Sequence, residues 1–478
     1  MKQGGISMAA KFGTSGLRGL VGELTDGTAA AHARAFARHL KQTGMAKGGD
    51  AIFLGRDMRA SSPEIAAQCA AAVQAEALVP VDCGVVPTPA LALYAMRRQA
   101  AALMITGSHI PDDRNGVKFY RPDGEIDKGD EEAIATLAPS CTGLENPAGA
   151  AMRNRHEEVL DEFVARYRGF ASGLGLAGLR IGLYEHSSAA SIPLVRILQE
   201  VGAEVVRLGP SDHFIPVDTE AVSDETRALV SGWVRNERLD GLVSADGDGD
   251  RPLVVDETGT VLRGDALGLI VARHLQADAV ATPVTSNSGI ERRCDAQVRR
   301  TRVGSPFVIA GMQAALKTGS RRIVGFEANG GVLTGNEMQL GPASLAALPT
   351  RDSVLPILCA LGAARSAGQS LSAHVAELAL PVAASDRIEN FPTAQSQKLV
   401  ARLSGDNEEC ARFFAALGEV RHTDLTDGLR VTLDDRRVVH LRPSGNAPEL
   451  RVYAEAADET TAKALIVGTI ERIGQDQG

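Results

Sequence analysis

The sequence predicts an α/β protein: three similar mixed α/β domains followed by a smaller C-terminal α+β domain, set around a central cleft. Three observations carry that expectation. Short apolar runs alternate with stretches of helical length three times in succession, each series ending in a polar, glycine-containing loop. A chain of 478 residues is too long for one core and suits several domains. Past about residue 370 the alternation gives way to closely spaced strands broken by Asp and Gly turns. The expected domains are 1–150, 151–256, 257–372 and 373–478.

In the first unit, 51–55 reads as a strand and 62–78 as an Ala-rich helix opened by Ser-Ser-Pro. Strand-like 80–83, a helix over 89–98 and an apolar strand over 101–105 follow, ending at Thr106-Gly107-Ser108-His109. The plan recurs as strand 179–183, helix 191–201, strand 204–208, helix 219–236 and strand 239–244. That series ends at Asp246-Gly247-Asp248-Gly249-Asp250-Arg251, with a further strand over 252–255. The third series runs from about 279 to a strand over 322–326 that ends at Glu327-Ala328-Asn329-Gly330-Gly331. Such βαβ order predicts mainly parallel sheets, with ligands bound at the C-terminal ends of the strands. In the last unit a helix is expected within 388–404, a hairpin of 430–433 and 438–441 around Asp434-Asp435, and a strand over 449–454.

Bulk properties exclude several classes. With 44% hydrophobic and 23% charged residues the composition is that of an ordinary globular chain. A net charge of −9 supplies no basic footprint for nucleic acid. No run of 18 apolar residues occurs, and Met1-Lys2-Gln3-Gly4-Gly5 lacks a signal-peptide core, so a cytoplasmic enzyme with no membrane partner is expected. Cys69, Cys83, Cys141, Cys294, Cys359 and Cys410 form no C-x-x-C pair, which argues against zinc and a disulfide framework and for small buried hydrophobes.

The loops carry the chemistry. Asp246, Asp248 and Asp250 would repel one another unless a cation held them, and carboxylates with glycine spacers suit a hard ion such as Mg²⁺. An EF-hand is rejected because its sixth position must be Gly and is Arg251 here, with a strand following. Ser108, at the end of an apolar strand, can be a nucleophile or phosphoryl carrier, or simply a turn or cap serine. Asn115-Gly116 reads as a turn that returns Lys118 towards Ser108, where desolvation would lower its pKa and make it a proton shuttle. Gly13-Thr14-Ser15-Gly16-Leu17-Arg18-Gly19 can close amides and a guanidinium on a phosphate, although it is no P-loop. Gly55-Arg56-Asp57 is a candidate supporting segment. Arg442-Pro443-Ser444-Gly445-Asn446 with Arg451 suits a dianionic phosphate, against the plain alternative of a Pro-Gly turn. Gly173 to Gly178 spells G-x-G-x-x-G but precedes a strand, so it is no dinucleotide site.

Taken together, these loops resemble those of the α-D-phosphohexomutases, the phosphomannomutase and phosphoglucomutase superfamily, in order across essentially the whole chain. Thr106-Gly107-Ser108-His109-Ile110-Pro111 is similar to that family's phosphoserine loop, usually Thr-Ala-Ser-His-Asn-Pro. The Asp run matches its Mg²⁺ loop, Glu327-Ala328-Asn329-Gly330 its sugar loop (commonly Glu-x-Ser-Gly), and Arg442 to Asn446 its phosphate loop (usually Arg-Pro-Ser-Gly-Thr). Gly107 and Ile110 depart from the pattern but leave Ser108 intact. Asn446 keeps a short polar side chain, and Asn329 alters the loop that reads sugar hydroxyls.

The resemblance implies a phosphorylated Ser108, with Mg²⁺ on Asp246, Asp248 and Asp250 beside it, that exchanges its phosphoryl group with a hexose phosphate through a hexose 1,6-bisphosphate, which also serves as activator. Arg442, Ser444, Gly445, Asn446 and Arg451 would hold the non-reacting phosphate, and Glu327 and Asn329 the sugar hydroxyls. Arg18 and Arg251 would neutralise the transferring group, with Lys118 and His109 as proton-transfer candidates. Gly304 and Ser305 resemble a further substrate loop. Mannose phosphate is the expected substrate, with glucose and glucosamine phosphates as alternatives, and the chain a monomer or homodimer. A serine hydrolase is the competing class; it would leave the Asp cluster without a task and lacks a G-x-S-x-G elbow. A catalytically idle sugar-phosphate sensor would not need Ser108 and all three Asp residues intact.

Overall fold

The apolar runs singled out above become strands of four sheets in a computed structural model that describes residues 10–13, 16–143, 152–340, 343–444 and 448–476. The first unit contains β1 (Lys11–Phe12), β2 (Leu17–Leu20), β3 (Ala51–Arg56), β4 (Val79–Val85), β5 (Ala101–Ile105), β6 (Arg114–Arg121), β7 (Gly124–Glu125) and β8 (Arg153–Asn154). They lie in the order β1-β2-β6-β5-β3-β4-β8, with β7 on β6. The second unit orders β9 (Arg180–His186), β10 (Glu204–Pro210), β11 (Gly241–Ala245) and β12 (Pro252–Asp256) as β10-β9-β11-β12. The third has β13 (Ala279–Pro283), β14 (Gln297–Thr301), β15 (Ile323–Phe326) and β16 (Val332–Thr334). A small hairpin of β17 (Met338–Leu340) and β18 (Ala343–Leu345) precedes β19 (Leu348–Asp352), and the sheet order is β14-β13-β15-β16-β19.

One arrangement is therefore repeated three times: β4-β3-β5-β6, β10-β9-β11-β12 and β14-β13-β15-β16. In each, the first three strands are mutually parallel and the fourth runs antiparallel. The expectation of mainly parallel sheets is corrected on this point. A parallel crossover needs about a dozen residues or more, and the polar loops after β5, β11 and β15 are too short to provide one. The chain must turn straight back, so each loop is pinned between a buried parallel strand and its antiparallel return.

Other corrections are local. Asn115-Gly116 is no turn; both residues lie within β6. Glycine is needed there because a Cβ on Gly116 would sit 2.5 Å from the carbonyl oxygen of Leu17 on β2 and 2.8 Å from that of Thr106, just past β5. The Asn115 amide donates to Ser61 and Ser62. The helix expected over 62–78 stops at Ala75, where Ala77 turns the chain with φ +59°. The helix expected from 219 starts at Asp224, capped by Ser223 Oγ accepting the Thr226 N–H. Residue 388 ends an unanticipated strand, β20 (Val382–Ile388), and the helix begins at Thr393. That strand is half exposed along its length, so it carries little apolar signal.

The C-terminal unit is a wholly antiparallel sheet of β20, β21 (Val420–Asp424), β22 (Leu429–Leu433), β23 (Val438–Pro443) and β24 (Leu450–Ala456), in the order β20-β24-β23-β22-β21. One apolar cluster runs continuously through the three α/β units, joining Leu91, Phe163, Leu267 and Leu358 of four helices. The C-terminal unit keeps its own core of Phe414, Val431, Leu441, Val452 and Ile466. Cys69, Cys83, Cys141, Cys359 and Cys410 are buried free thiols and Cys294 is partly exposed. Among the described residues no helix is long and apolar enough to cross a membrane.

Candidate active site

Ser108 follows β5 in the left-handed region, with φ +56°. A non-glycine residue persists there only when its surroundings over-determine it. Its N–H donates to Thr106 Oγ1 at 2.7 Å, and its carbonyl accepts from Arg59 at 3.1 Å. Arg59 is fully buried and also donates to the carbonyls of Ile110 (2.6 Å), Pro111 (2.8 Å) and Arg114 (3.0 Å), so one guanidinium fixes the whole loop. Phe214 covers Arg59, its ring centroid 3.8 Å from Cζ. Asp57, just past β3, pairs with Arg59 and accepts from Thr106 Oγ1 and Ser62 Oγ. The supporting role expected for 55–57 thus rests on Asp57.

The Asp loop leaves β11 and is tied from three sides. Thr88 N–H donates to the Asp248 carbonyl, Ala189 N–H to that of Gly247, and Ser353 Oγ to that of Gly249. Ser108 Oγ donates to Asp246 Oδ2 at 2.5 Å. Lys118 Nζ lies 2.5 Å from Asp248 Oδ2 and 2.6 Å from Asp250 Oδ2, and the Thr88 hydroxyl donates to Asp248. Carboxylate oxygens of Asp246, Asp248 and Asp250 fall within 4.8 Å of one another. Asp248 Oδ1 and Asp250 Oδ1 are buried without a hydrogen-bond partner. Three clustered buried carboxylates, two of them with an unpartnered oxygen, fit a cation with oxygen ligands.

The charges here are strongly coupled. Burial, with Asp248 and Asp250 beside it, pushes the Asp246 carboxyl up. Burial would also raise Asp250, but Arg351, Lys118 and Arg251 hold it far below the usual carboxylate range. The lowered pKa expected for Lys118 is corrected: burial does push it down, but Asp248 and Asp250 outweigh burial and the net shift is upward. Arg18, half-buried on β2, is lowered to about 10 by burial and by its neighbours Arg251 and Arg351. His109 Nδ1 sits 3.0 Å from Arg251 and 3.3 Å from Ser108 Oγ, with Nε2 3.9 Å from Asp218. Burial and Arg251 lower His109 to about 3, so it is neutral near pH 7. Because a guanidinium can only donate, Nδ1 is the acceptor and Nε2 carries the proton.

Beyond β15, Asn329 Oδ1 accepts the Gly331 N–H at 3.0 Å, and the Asn329 carbonyl accepts from Thr219 Oγ1. Glu327 is joined to the Asp loop by Arg351, which donates to Glu327 Oε2 at 2.7 Å and to Asp250 Oδ2 at 2.8 Å. Gly304 precedes the helix Ser305–Lys317, and Ser305 Oγ donates to Glu125 at 2.6 Å. In the C-terminal unit Arg442 and Arg451 are register partners on β23 and β24. Ser444 N–H donates to the Glu449 carbonyl. The charges of Arg251, Glu327 and Arg451 all act on the carboxyl of Glu220, on the loop before Asp224. Gly445 and Asn446, and Thr14 and Ser15 of the N-terminal loop, lie outside the described residues.

Sequence reasoning missed Arg59, Thr88, Asp218 and Arg351. A charged Thr-Arg-Asp in a strand otherwise bound for the core is the only local signal for Arg351, and it does not name the partners. Close packing here also makes a test. A Cβ on Gly247 would lie 2.7 Å from the Ser108 carbonyl oxygen and 2.7 Å from the Phe214 ring. Gly247→Ala is expected to destabilise the protein by about 1–3 kcal/mol, as overpacking does, and to lower activity by displacing Ser108. Thermal melting and turnover check it; wild-type values for both would show that the two loops are not in contact.

The phosphoglucomutase/phosphomannomutase family profiles match in three places: the α/β/α domain I over residues 9–141, the α/β/α domain III over 263–381, and the C-terminal domain over 377–471. The chain belongs to this family, the α-D-phosphohexomutases, and is an intramolecular phosphotransferase. Within it the chain is most like bacterial phosphomannomutases. It is 52% identical over 465 residues to the phosphomannomutase of Sinorhizobium fredii, covering 96% of this chain and 98% of that one. It is 41% identical over 471 residues to that of Salmonella muenchen, covering 98% and 96%. A phosphoglucomutase/phosphomannomutase family protein from Burkholderia thailandensis shares the fold, with a TM-score of 0.75 at 21% identity over 96% of both chains.

Proposed function

We propose that the protein is a phosphomannomutase that interconverts mannose 1-phosphate and mannose 6-phosphate, with phosphorylated Ser108 as carrier and a hexose 1,6-bisphosphate as intermediate and activator. The observation that carries this reading is Ser108 Oγ, held in a left-handed turn 2.5 Å from Asp246 where three buried carboxylates converge. The P–O bond to Ser108 Oγ breaks as a bond forms from phosphorus to the free sugar hydroxyl, whose proton passes to a nearby base. The reverse transfer from the other end of the bisphosphate restores the phosphoserine. Asp246, Asp248 and Asp250 would hold Mg²⁺, which supplies positive charge for the phosphoryl oxygens.

Arg18, Arg251 and Lys118 place three further cations around the carboxylate cluster, and phosphoryl transfer needs mainly such positioning and neutralisation. His109, neutral and 3.3 Å from Ser108 Oγ, is the candidate to accept a proton, whereas Lys118, held protonated between Asp248 and Asp250, could only donate one. Glu327 and Asn329 would meet sugar hydroxyls, Gly304 and Ser305 the sugar phosphate's approach, and Arg442, Ser444, Gly445, Asn446 and Arg451 the non-reacting phosphate. Free cysteines suit a reducing cytoplasmic compartment. Monomer and homodimer are both compatible with such a cleft.

Phosphorus NMR tests the reading, with Mg²⁺, a trace of glucose 1,6-bisphosphate, and mannose 1-phosphate or glucose 1-phosphate in parallel tubes. Conversion to mannose 6-phosphate, faster than that of the glucose ester, is expected. Faster glucose conversion would replace mannose as the substrate, and silence in both tubes would sink the mutase reading.

A further inference from the structure

The short connection between β21 and β22, Leu425-Thr426-Asp427-Gly428, belongs to none of the motif loops and touches two of them. Asp427 Oδ2 accepts from Arg442 Nε at 2.9 Å and from the backbone N–H of Val303 at 2.9 Å. Arg442 opens the expected phosphate loop of the C-terminal unit; Val303 leads into Gly304 and Ser305 of the third α/β unit. Arg302 Nε adds a bond to the Thr426 carbonyl at 3.2 Å.

The connection is itself rigid. Asp424 Oδ1 accepts the Thr426 N–H at 2.8 Å. His440 Nε2 lies 2.6 Å from the Asp427 carbonyl oxygen and must donate to it. The His440 ring stacks on Tyr453 with centroids 5.5 Å apart.

Placement in the sheet gives these contacts their meaning. The C-terminal sheet enters the molecule at β20, where Asn287 donates to the Pro381 carbonyl and Arg263 to that of Ala383. The Asp427 connection lies at the opposite edge, beyond β22. Any swing of this unit about the linker before β20 moves that far edge most, so the bonds to Val303 and Arg302 are the first that such a swing would sever. The bond to Arg442 stays within the unit and survives. A negative charge beside a phosphate-binding arginine opposes binding of a dianion. It is tolerable if it fixes the guanidinium by its Nε, since the two terminal nitrogens are then presented as a planar fork that matches phosphate oxygens.

We infer that Asp427 is a positioning residue: it orients Arg442 for the sugar phosphate and docks the C-terminal unit onto the Val303–Gly304–Ser305 loop. This rests on the mutase reading above. Asp427 touches no substrate; it acts through Arg442 and through the placement of its domain.

The test is steady-state kinetics of wild type, Asp427→Asn and Asp427→Ala, each alone and combined with Arg442→Gln, with small-angle scattering of each protein with and without hexose phosphate. Asp427→Ala should raise KM for hexose phosphate about tenfold, the size expected for one charge-assisted hydrogen bond, and change kcat far less. Asp427→Asn, which keeps an acceptor for Val303, should fall between. In the Arg442→Gln background the same Asp427 changes should add less than about twofold, because the group they position is gone. Asp427→Ala should scatter as a more expanded particle than wild type, because its C-terminal unit has lost the bond to Val303. Equal effects in both backgrounds, or an unchanged KM with unchanged scattering, would overturn the inference. Should Asp427→Ala not fold, Asp427→Asn carries the same comparison. An inactive wild type is a different result: it removes the mutase reading itself.

Discussion

Ser108→Ala is expected to cut mutase turnover by at least about a thousandfold, because it removes the atom that carries the phosphoryl group. The effect should fall on chemistry and spare the fold. Alanine meets the same cost as serine at φ +56°, and the Arg59 bonds that impose this conformation run to backbone carbonyls, which the substitution leaves in place. What is lost is the hydrogen bond to Asp246, a buried carboxylate, worth about 1–3 kcal/mol. Two measurements decide it. Phosphorus NMR follows turnover, and intact mass spectrometry after incubation with glucose 1,6-bisphosphate should find one phosphoryl group on wild type and none on the variant. A variant that keeps a tenth of wild-type turnover, or that still takes up phosphate, would place the carrier elsewhere.

The second large effect concerns stability. Arg351 is buried and pairs at once with Asp250 and Glu327, which come from the second and third α/β units. Arg351→Met would leave both carboxylates buried with less compensation, and removing one partner of a buried ion pair costs about 3–5 kcal/mol. Thermal melting should therefore drop by several degrees, and activity should fall because Glu327 and the Asp loop lose their common tie. Arg351→Lys keeps the charge but cannot reach both carboxylates with the same planar geometry, so it should be intermediate. Added Mg²⁺ should recover part of the loss, since it compensates Asp250 but not Glu327. A melting temperature equal to wild type for Arg351→Met would show that the pair contributes no net stability in this protein.

Both predictions start from residues the sequence treats very unequally. Ser108 was legible: an apolar strand ending in Gly-Ser-His marks it, and so does the Asp run after a second such strand. These signals are local, set by side-chain period along a strand and by glycine at a turn, and neighbouring residues suffice to express them. Arg351 was not legible. Its partners Asp250 and Glu327 lie far away in sequence, and its own neighbourhood reads as an ordinary edge of a strand. Arg59 is similar, since nothing near it announces that four carbonyls some fifty positions on will converge on its guanidinium. Asn115-Gly116 failed in the other direction. Its letters are those of a turn, yet the close approach of two neighbouring strands, which only a residue without a side chain permits, makes it part of β6.

The sheets show the same division. Strand positions followed from runs of apolar residues, but the direction of the fourth strand in each unit depended on loop length, and the half-exposed β20 gave no apolar run to detect. The sequence by itself determined the α/β class, the repeated delivery of polar loops from strand ends, and the place of Ser108, Asp246, Asp248, Asp250, Glu327 and Arg442 on those loops. Only the tertiary structure decided how these are charged and joined. It brought Lys118 between two carboxylates, where their attraction outweighs burial, put Arg351 across two domains, and set Asp427 against both Arg442 and Val303. The reason is physical: periodicity and turn chemistry act over a few residues, whereas a pKa or an ion pair depends on whatever the fold places within a few ångströms, however distant along the chain.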